Sequence, residues 1–331
     1  MERAVIIPPD DRHLAFSASE LNRSSSPITV RGVDAAVELL QRVSRATVTV
    51  ASKIPPNNPS AAILGTERFG SGTVVDRHGL VITVNYVVLG ATEVFVVDVE
   101  GRRHAARVVA QDFATGIALL RTEISDLRPL DIATSDELSL GEDACVVASA
   151  GENERRCATG VVTSLDPFDA TWEYRLDRAV WLTCSNPGLG GAPACDRFGR
   201  LIGVVSLNLG NVGRASLAIP AECYKAHAGE LLEHGRRVSR PARAWLGLFC
   251  YPLAERSIVA GVVPGSPVAV AGVESGDVIT RVGSESVDNR KALYDSIWTH
   301  GAGETVELDI YREGQLLTFS VDSADVDAFF A

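Results

Sequence analysis

The sequence predicts a mainly β protein with two consecutive folded regions. From Phe69 onward, short apolar runs alternate with Gly-, Asp- and Asn-containing turn signals about every 8–12 residues, a pattern typical of an antiparallel β domain. After the basic, proline-containing segment 236–243 the composition changes, which indicates a linker followed by a second, smaller domain. At 331 residues the chain is long enough for two or three domains with buried cores.

Each predicted element rests on a local residue pattern. From Val33 the apolar residues recur at helical spacing, which predicts a short amphipathic helix before a first strand at 47–51. Residues 1–28 show little periodicity and are predicted to form a flexible N-terminal arm. A helix is expected from Pro220 to about residue 232, with Gly235 as its stop. Further strands are predicted at 73–76, 80–83, 93–99, 105–110, 117–121, 144–148, 158–165, 180–183, 201–207 and 215–219.

Composition excludes some classes of function. The chain is 46% hydrophobic and 22% charged, as in a soluble globular protein. Acidic residues outnumber basic ones 42 to 31, and the net charge of −11 argues against a nucleic-acid partner. Six scattered cysteines lack the paired spacing of metal ligands, so free thiols are expected, with no metal and no cofactor. They are Cys145, Cys157, Cys184, Cys195, Cys223 and Cys250.

The sequence as given predicts a cytoplasmic protein that makes no contact with a membrane. Its first residues lack the apolar core of a secretory signal, and no run approaches the ~18 apolar residues of a membrane span. A periplasmic location is the alternative if the sequence is a truncated form.

Residues 186–194, Asn-Pro-Gly-Leu-Gly-Gly-Ala-Pro-Ala, form a glycine-rich turn between two apolar runs. This stretch resembles the Asn-Pro-Gly-Asn-Ser-Gly-Gly-Pro-Leu turn of the HtrA (Deg) family of trypsin-like serine proteases. Aligned without a gap, Gly190 takes the position of the catalytic serine. The segment 83–88 resembles the family's histidine segment and places Tyr86 at the general base. The segment 112–120 resembles the aspartate segment and places Gly116 at the orienting carboxylate.

Because all three triad positions differ, the resemblance implies a pseudoprotease, that is, a protein that is not an enzyme. It also implies a vestigial oxyanion hole at Gly188 and Gly190 and a vestigial specificity pocket at Cys184. Two alternatives stay open: a holdase-like chaperone for unfolded segments, and a serine-type endopeptidase with relocated or residual activity. The residues considered for relocated catalysis are Ser71, Ser185, His78 and His104.

The C-terminal region resembles a PDZ domain of the HtrA type. Trp245, Leu246, Gly247 and Leu248 resemble its carboxylate-binding loop, and 262–269 with 271–279 resemble its most recognisable segment. The resemblance implies that backbone amides of the loop hold a peptide's terminal carboxylate, with Gly247 allowing close approach. The helix predicted at 289–298 would close an apolar pocket lined by Leu293 and Ile297.

Together the two resemblances imply a trypsin-like pair of six-stranded antiparallel β-barrels followed by one PDZ domain. The predicted limits are 1–28 for the arm, 29–235 for the trypsin-like domain, 236–243 for the linker, 244–325 for the PDZ domain and 326–331 for a C-terminal tail. The predicted function is a scaffold or adaptor that binds a protein or peptide through a C-terminal carboxylate or an extended segment. The chain is expected either as a homo-oligomer or as a subunit of a larger complex.

Overall fold

The structure, a computed structural model, describes residues 31–124, 128–134, 137–209, 215–253 and 256–330. The predicted arm, 1–28, lies outside the described residues. Helix α1 (Arg31–Ala46) contains the boundary between two compact units, which falls after Glu38. The unit that begins at Leu39 contains two β-barrels and a C-terminal sheet.

The first half of this unit is a closed six-stranded barrel in the order β1-β2-β3-β6-β5-β4. Its β-branched and aliphatic residues, such as Val48, Ile82 and Leu120, are fully buried inside the barrel, which fits the β propensity of these side chains. The strands are β1 (Thr47–Lys53), β2 (Glu67–Val74), β3 (Leu80–Val84), β4 (Glu93–Val97), β5 (Arg103–Asp112) and β6 (Ile117–Thr122). Two short helices accompany them, α2 (Ala61–Leu64) and α3 (Asn85–Val88).

A second closed barrel follows, in the order β11-β14-β13-β12-β7-β8, so the predicted pair of six-stranded barrels is confirmed. A two-stranded hairpin of β9 and β10 projects between β8 and β11. The strands are β7 (Asp143–Ser149), β8 (Arg155–Ser164), β9 (Phe168–Asp169), β10 (Arg175–Leu176), β11 (Val180–Leu182), β12 (Ala192–Asp196), β13 (Leu201–Asn208) and β14 (Ser216–Pro220). Helices α4 (Glu222–Lys225) and α5 (Ala228–His234) close the domain, and Gly235 ends α5 in the left-handed conformation.

The two barrels share one turn arrangement. In the first barrel the buried carboxylate of Asp98 accepts hydrogen bonds from the Arg102 backbone N–H at 2.9 Å and from Arg102 Nε at 2.7 Å. In the second barrel Asp196 accepts the same two bonds from Arg200, at 2.9 and 2.7 Å. Each carboxylate therefore accepts a hydrogen bond from a backbone N–H of its hairpin, and the guanidinium of the same arginine balances its charge.

The C-terminal domain is one antiparallel sheet in the order β15-β16-β17-β19-β20, with β18 paired to β17. Asn289 caps its longer helix, because the side chain accepts a bond from Ala292 N–H at 2.8 Å. The segment predicted as a tail contains a short terminal helix. The elements are β15 (Leu248–Leu253), β16 (Arg256–Val262), α6 (Pro267–Ala271), β17 (Val278–Val282), β18 (Glu285–Ser286), α7 (Arg290–Ile297), β19 (Thr305–Arg312), β20 (Gln315–Asp322) and α8 (Val326–Phe330).

An aromatic cluster packs α8 against the first barrel and against the start of the C-terminal domain. Phe330 stacks on Phe113 of the first barrel, with ring centroids 6.0 Å apart. Trp245 contacts Phe329 and Phe330 at centroid distances of 4.7 and 5.5 Å. This cluster holds the start of the C-terminal domain against the barrels.

Candidate functional site

A cavity of about 510 Å³ lies where the two barrels, the 236–243 linker and the C-terminal domain meet. We call it the junction cavity. Its wall is largely apolar and aromatic, and four arginines of the linker region line one side. Among the residues that the structure describes, no histidine lines it. Its lining includes Tyr86, Phe113, Trp172, Glu173, Leu207, Phe249, Trp298, Arg236, Arg237, Arg240 and Arg243.

Tyr86 fills the space that a side chain at position 190 would need. Helix α3 follows β3 directly and directs the phenol toward the second barrel, where its Oη donates a hydrogen bond to the Ser206 carbonyl at 2.9 Å. A Cβ atom at Gly190 would lie 1.9 Å from that Oη. Burial raises the pKa of Tyr86 to about 12, so the hydroxyl remains a protonated donor at neutral pH.

Gly116 lies close to Tyr86 because it is hydrogen-bonded to Asn85, the residue before Tyr86. The Gly116 carbonyl accepts a bond from Asn85 N–H at 2.8 Å, and its own N–H donates to the Asp112 carbonyl at 2.8 Å. Its φ of +81° is a left-handed conformation that glycine adopts without strain. Position 190 therefore lies against Tyr86, and position 116 lies beside Asn85, so a phenol and two glycines stand at the three positions.

The glycine-rich turn is held by bonds from both barrels. Gly188 N–H donates to Asn186 Oδ1 at 3.3 Å, Leu189 N–H donates to the Ser149 carbonyl at 2.8 Å, and the Gly190 carbonyl accepts from Ser71 N–H at 2.6 Å. The amide of Gly188, predicted for an oxyanion hole, is thus engaged within the turn.

The residue predicted for the specificity pocket and two of those considered for relocated catalysis also have structural partners. Cys184 is buried, burial raises the pKa of its thiol, and its carbonyl accepts a bond from Ser216 Oγ at 2.7 Å. Ser71 Oγ donates to the Leu189 carbonyl at 2.9 Å, and His104 Nε2 lies 3.1 Å from Asp98 Oδ2, in the first barrel's hairpin. These groups do not converge on one another.

The loop predicted to bind a carboxylate does hold one, and it belongs to the chain itself. The backbone N–H groups of Gly247 and Leu248 donate to Glu173 Oε1 at 2.6 and 2.7 Å, and that of Leu246 donates to Oε2 at 2.9 Å. Gly247 has a φ of +88°, and a Cβ there would lie 2.2 Å from Ser266 Cβ. Only glycine therefore allows this loop to curl around the carboxylate.

Glu173 reaches the loop from the tip of the β9–β10 hairpin. Its carboxyl is buried, and burial raises its pKa to about 7, although the three N–H donors and the charge of Arg243 act to lower it. The preceding residues pair with β15: Cys250 N–H donates to the Thr171 carbonyl at 2.8 Å, and Trp172 pairs with Phe249 in antiparallel register. Sequence reasoning missed Glu173, because a single glutamate in a loop carries no local signal of a distant partner.

The remaining predicted peptide-binding residues divide into two groups. Trp245 belongs to the aromatic cluster with α8 and also lines the junction cavity. Leu293 and Ile297 are fully buried in the core of the C-terminal domain. From the same helix it is Tyr294 that contacts the hairpin, since its Oη donates to the Ala170 carbonyl at 2.8 Å.

Trp298 closes the other side of the cavity. The guanidinium of Arg243 lies 3.4 Å above its ring centroid, a cation–π contact. Within the described ranges, no cluster of three or more His, Cys, Asp or Glu side chains is arranged to hold a metal ion. In the same part of the chain, every helix is too short or too polar to cross a membrane.

Comparison with known proteins matches two family models. Residues 70–204 match the trypsin-like peptidase domain, and residues 242–322 match the PDZ domain. The predicted domain limits stay predictions. A probable periplasmic serine endoprotease DegP-like of Halomonas elongata is 27% identical over 291 residues, which is 82% of this chain and 60% of that protein. The periplasmic serine endoprotease DegP of Salmonella typhimurium is 28% identical over 271 residues, which is 76% of this chain and 56% of that protein.

The chain thus spans about 60% of the length of the curated relatives it matches. Among solved structures, an HtrA-type protease AlgW with a tripeptide aligns at a TM-score of 0.51 and 20% identity, over 87% of this chain and 96% of the other. The serine endoprotease from Yersinia pestis aligns at 0.51 and 20%, over 88% and 98%. These similarities show the fold.

The relatives contradict two predictions. The prediction that the chain is not an enzyme is contradicted because they are named serine endoproteases. That prediction took the chemistry of three positions as decisive for the whole chain. The cytoplasmic location is contradicted because the same relatives are named periplasmic proteins. It relied on N-terminal residues that lie outside those described.

Two closed barrels, a glycine-rich turn between them and a C-terminal sheet whose loop holds a carboxylate agree with both family matches. The chain therefore consists of an HtrA/DegP-like, trypsin-like peptidase domain followed by a PDZ domain.

Proposed function

We propose that this chain captures extended segments of unfolded polypeptide in the junction cavity, as a holdase-like chaperone does. The observation that carries the proposal is the cavity itself, since its volume of about 510 Å³ is bounded by both barrels and the PDZ domain. Pockets of this size and apolar character bind ligands by burying their apolar surface. Trp172, Leu207, Phe249 and Trp298 offer aromatic and aliphatic surface to a client's side chains.

The arginines of the linker region supply the polar part of such a site. Arg236, Arg237, Arg240 and Arg243 line one wall, where guanidinium groups can donate to backbone carbonyls or carboxylates of a bound segment. Burial lowers the pKa of Arg243 to about 9, so this side chain still carries its charge at neutral pH. A wall that combines apolar contacts with backbone recognition suits many sequences rather than one.

The experiment follows aggregation of thermally unfolded citrate synthase by light scattering, with the full chain in equimolar amount. We expect the wild-type chain to suppress scattering by more than half. Leu207→Glu, which places a charge in the cavity, should lose most of this effect. Leu316→Glu, at a position on β20 that is 63% exposed and outside the cavity, is the matched control and should behave like wild type.

Circular dichroism checks that both variants are folded. No suppression by the wild-type chain, or equal suppression by a folded Leu207→Glu variant, would refute capture in this cavity.

The names of the relatives favour a second candidate, a serine-type endopeptidase. Tyr86, Gly116 and Gly190 offer no serine hydroxyl, imidazole base or orienting carboxylate, so hydrolysis would use other groups. Ser60 is the one serine among the described residues that line the junction cavity, but it is 1% exposed and its Oγ is hydrogen-bonded to Asn58, Leu89 and Arg68, so it is not poised as a nucleophile. Incubation with unfolded casein and a fluorophosphonate probe, followed by mapping of the labelled peptide, tests this candidate. Cleavage that is lost when the labelled serine is replaced by alanine would support the candidate, whereas intact casein and an unlabelled chain would exclude it.

We infer a periplasmic location from the same names. Fractionation of cells that express the native gene, with markers for each compartment, tests this inference.

A further inference from the structure

We propose that the hairpin tip 170–173 is an internal ligand of the PDZ groove, and that a polypeptide C-terminus binds there only by displacing the carboxylate of Glu173. The inference deepens the proposed function and rests on it in part, because the tip forms one wall of the cavity proposed to capture polypeptide. Two sets of contacts carry it, one around the carboxylate and one along β15.

The first set reproduces the recognition of a terminal carboxylate. Both oxygens of Glu173 accept backbone bonds, and three successive N–H groups, those of Leu246, Gly247 and Leu248, donate to them at 2.6–2.9 Å. An α-carboxylate presents the same two oxygens in the same planar geometry. Because these donors are already saturated, a free C-terminus and Glu173 cannot occupy the loop together.

The second set reproduces the way an extended peptide adds a strand to the edge of a sheet. Thr171 accepts a backbone bond from Cys250 at 2.8 Å, and Trp172 pairs with Phe249 in antiparallel register. On the helix side, Tyr294 Oη donates to the Ala170 carbonyl at 2.8 Å. The tip thus occupies the backbone positions that an external peptide would need next to β15.

The base of the hairpin is anchored by contacts that do not involve Glu173. Arg175 forms ion pairs with Asp169 and Asp295 and donates to the Lys291 carbonyl at 3.0 Å. Release of the tip therefore does not require release of the whole hairpin. This separation allows the carboxylate to be removed by mutation while the two domains stay associated.

The test uses the full chain in three versions besides wild type: Glu173→Ala, Glu173→Gln, and Glu154→Ala as control. Glu154 is exposed on the second barrel and forms its ion pair with Arg156, away from the groove. The first measurement is amide hydrogen exchange at residues 246–248, which needs no ligand. The second is binding of a fluorescein-labelled pool of hexapeptides, randomised at the last three positions, with free or amidated C-termini.

We expect protected amides at 246–248 in wild type and Glu154→Ala, and loss of that protection in Glu173→Ala. The free-carboxylate pool should bind Glu173→Ala at least tenfold more tightly than wild type, and the amidated pool should bind neither. Glu173→Gln keeps the shape of the side chain, so it gives the answer if Glu173→Ala unfolds.

Unchanged exchange in both Glu173 variants, or equal binding of the free-carboxylate pool to wild type and variants, would overturn the proposal. The exchange measurement contains no client protein. Loss of protection without any suppression of citrate synthase aggregation would therefore reject the proposed function and leave the internal ligand standing.

Discussion

The contact between Tyr86 and position 190 makes a quantitative prediction about stability. In Gly190→Ala the new Cβ would lie 1.9 Å from Tyr86 Oη, so the ring must move and give up its bond to the Ser206 carbonyl. Overpacking of this kind costs about 1–3 kcal/mol, and the lost hydrogen bond costs about 1 kcal/mol. We expect Gly190→Ala to lower the free energy of unfolding by about 3 kcal/mol.

Removing the phenol oxygen should relieve most of that cost. Tyr86→Phe alone should cost about 1 kcal/mol, because the Ser206 carbonyl loses its donor. In the double variant the nearest ring atom, Cζ, lies 3.1 Å from the new Cβ, which is tight but requires only a small shift. The double variant should therefore cost about 2 kcal/mol, against a sum of about 4 kcal/mol for the single variants.

Urea titrations followed by far-UV circular dichroism on the four proteins give the coupling energy. Gly229→Ala is the matched control, since a Cβ there has nothing within 4 Å and α5 should gain slightly from alanine. Additivity within about 0.5 kcal/mol would refute the contact, because residues that do not touch behave in that way.

Three further predictions concern single groups. Gly247→Ala should lower the free energy of unfolding by about 2–4 kcal/mol, because of its positive φ and the collision with Ser266. Gly265→Ala, with a φ of +74° and open space, should lower it by about 1 kcal/mol in the same urea titrations. The protection factor of the Leu248 amide should fall about tenfold from pH 6 to pH 8. Burial raises the pKa of Glu173 to about 7, so the docked state binds the proton more tightly than the released state and is weakened as the pH rises. Glu173→Gln should abolish this dependence; the other titratable groups that face the carboxyl are Arg243, Cys250 and Tyr294. Asp98→Asn should lower the free energy of unfolding by about 2 kcal/mol at neutral pH. Burial acts to raise the pKa of Asp98, but its bonds to Arg102 and His104 leave it lowered, so the variant's deficit in a pH series of unfolding titrations should shrink below about pH 4.

The barrels were predictable because their signals are local. Short, nearly continuous apolar runs that follow a turn glycine mark strands such as β3 and β6 without distant information. Strand β12 (Ala192–Asp196) was not predicted, because its first three residues belong to the glycine- and proline-containing stretch 186–194, which indicates a turn, and its sequence of Ala, Pro, Cys and Asp has no β-branched or aromatic residue. Small residues are used there since the strand is fully buried between β7 and β13.

The site was predictable only in part. The sequence could single out positions 86, 116 and 190 because the family pattern around each is long; in the structure Tyr86 lies against Gly190, and Asn85 is bonded to Gly116. That Tyr86 fills the space at 190 depends on the packing of one barrel against the other, which no single segment encodes. The same holds for Leu293 and Ile297: the helical pattern shows that both share an apolar face, but only the packed domain shows that this face points into the core.

The location of Glu173 on the same chain as the PDZ loop has a consequence for concentration. A tethered ligand is present at its site at an effective concentration on the order of millimolar, however dilute the protein. If the tip and a free peptide bind the loop with the same intrinsic affinity, on the order of micromolar, the peptide must be present at about a thousand times its own dissociation constant to occupy half of the loops. A ligand that also binds the junction cavity through a second segment competes better with the tip, because its two linked contacts raise its overall affinity. The hairpin would thus select for long, partly unfolded chains over short peptides that end in the same residues.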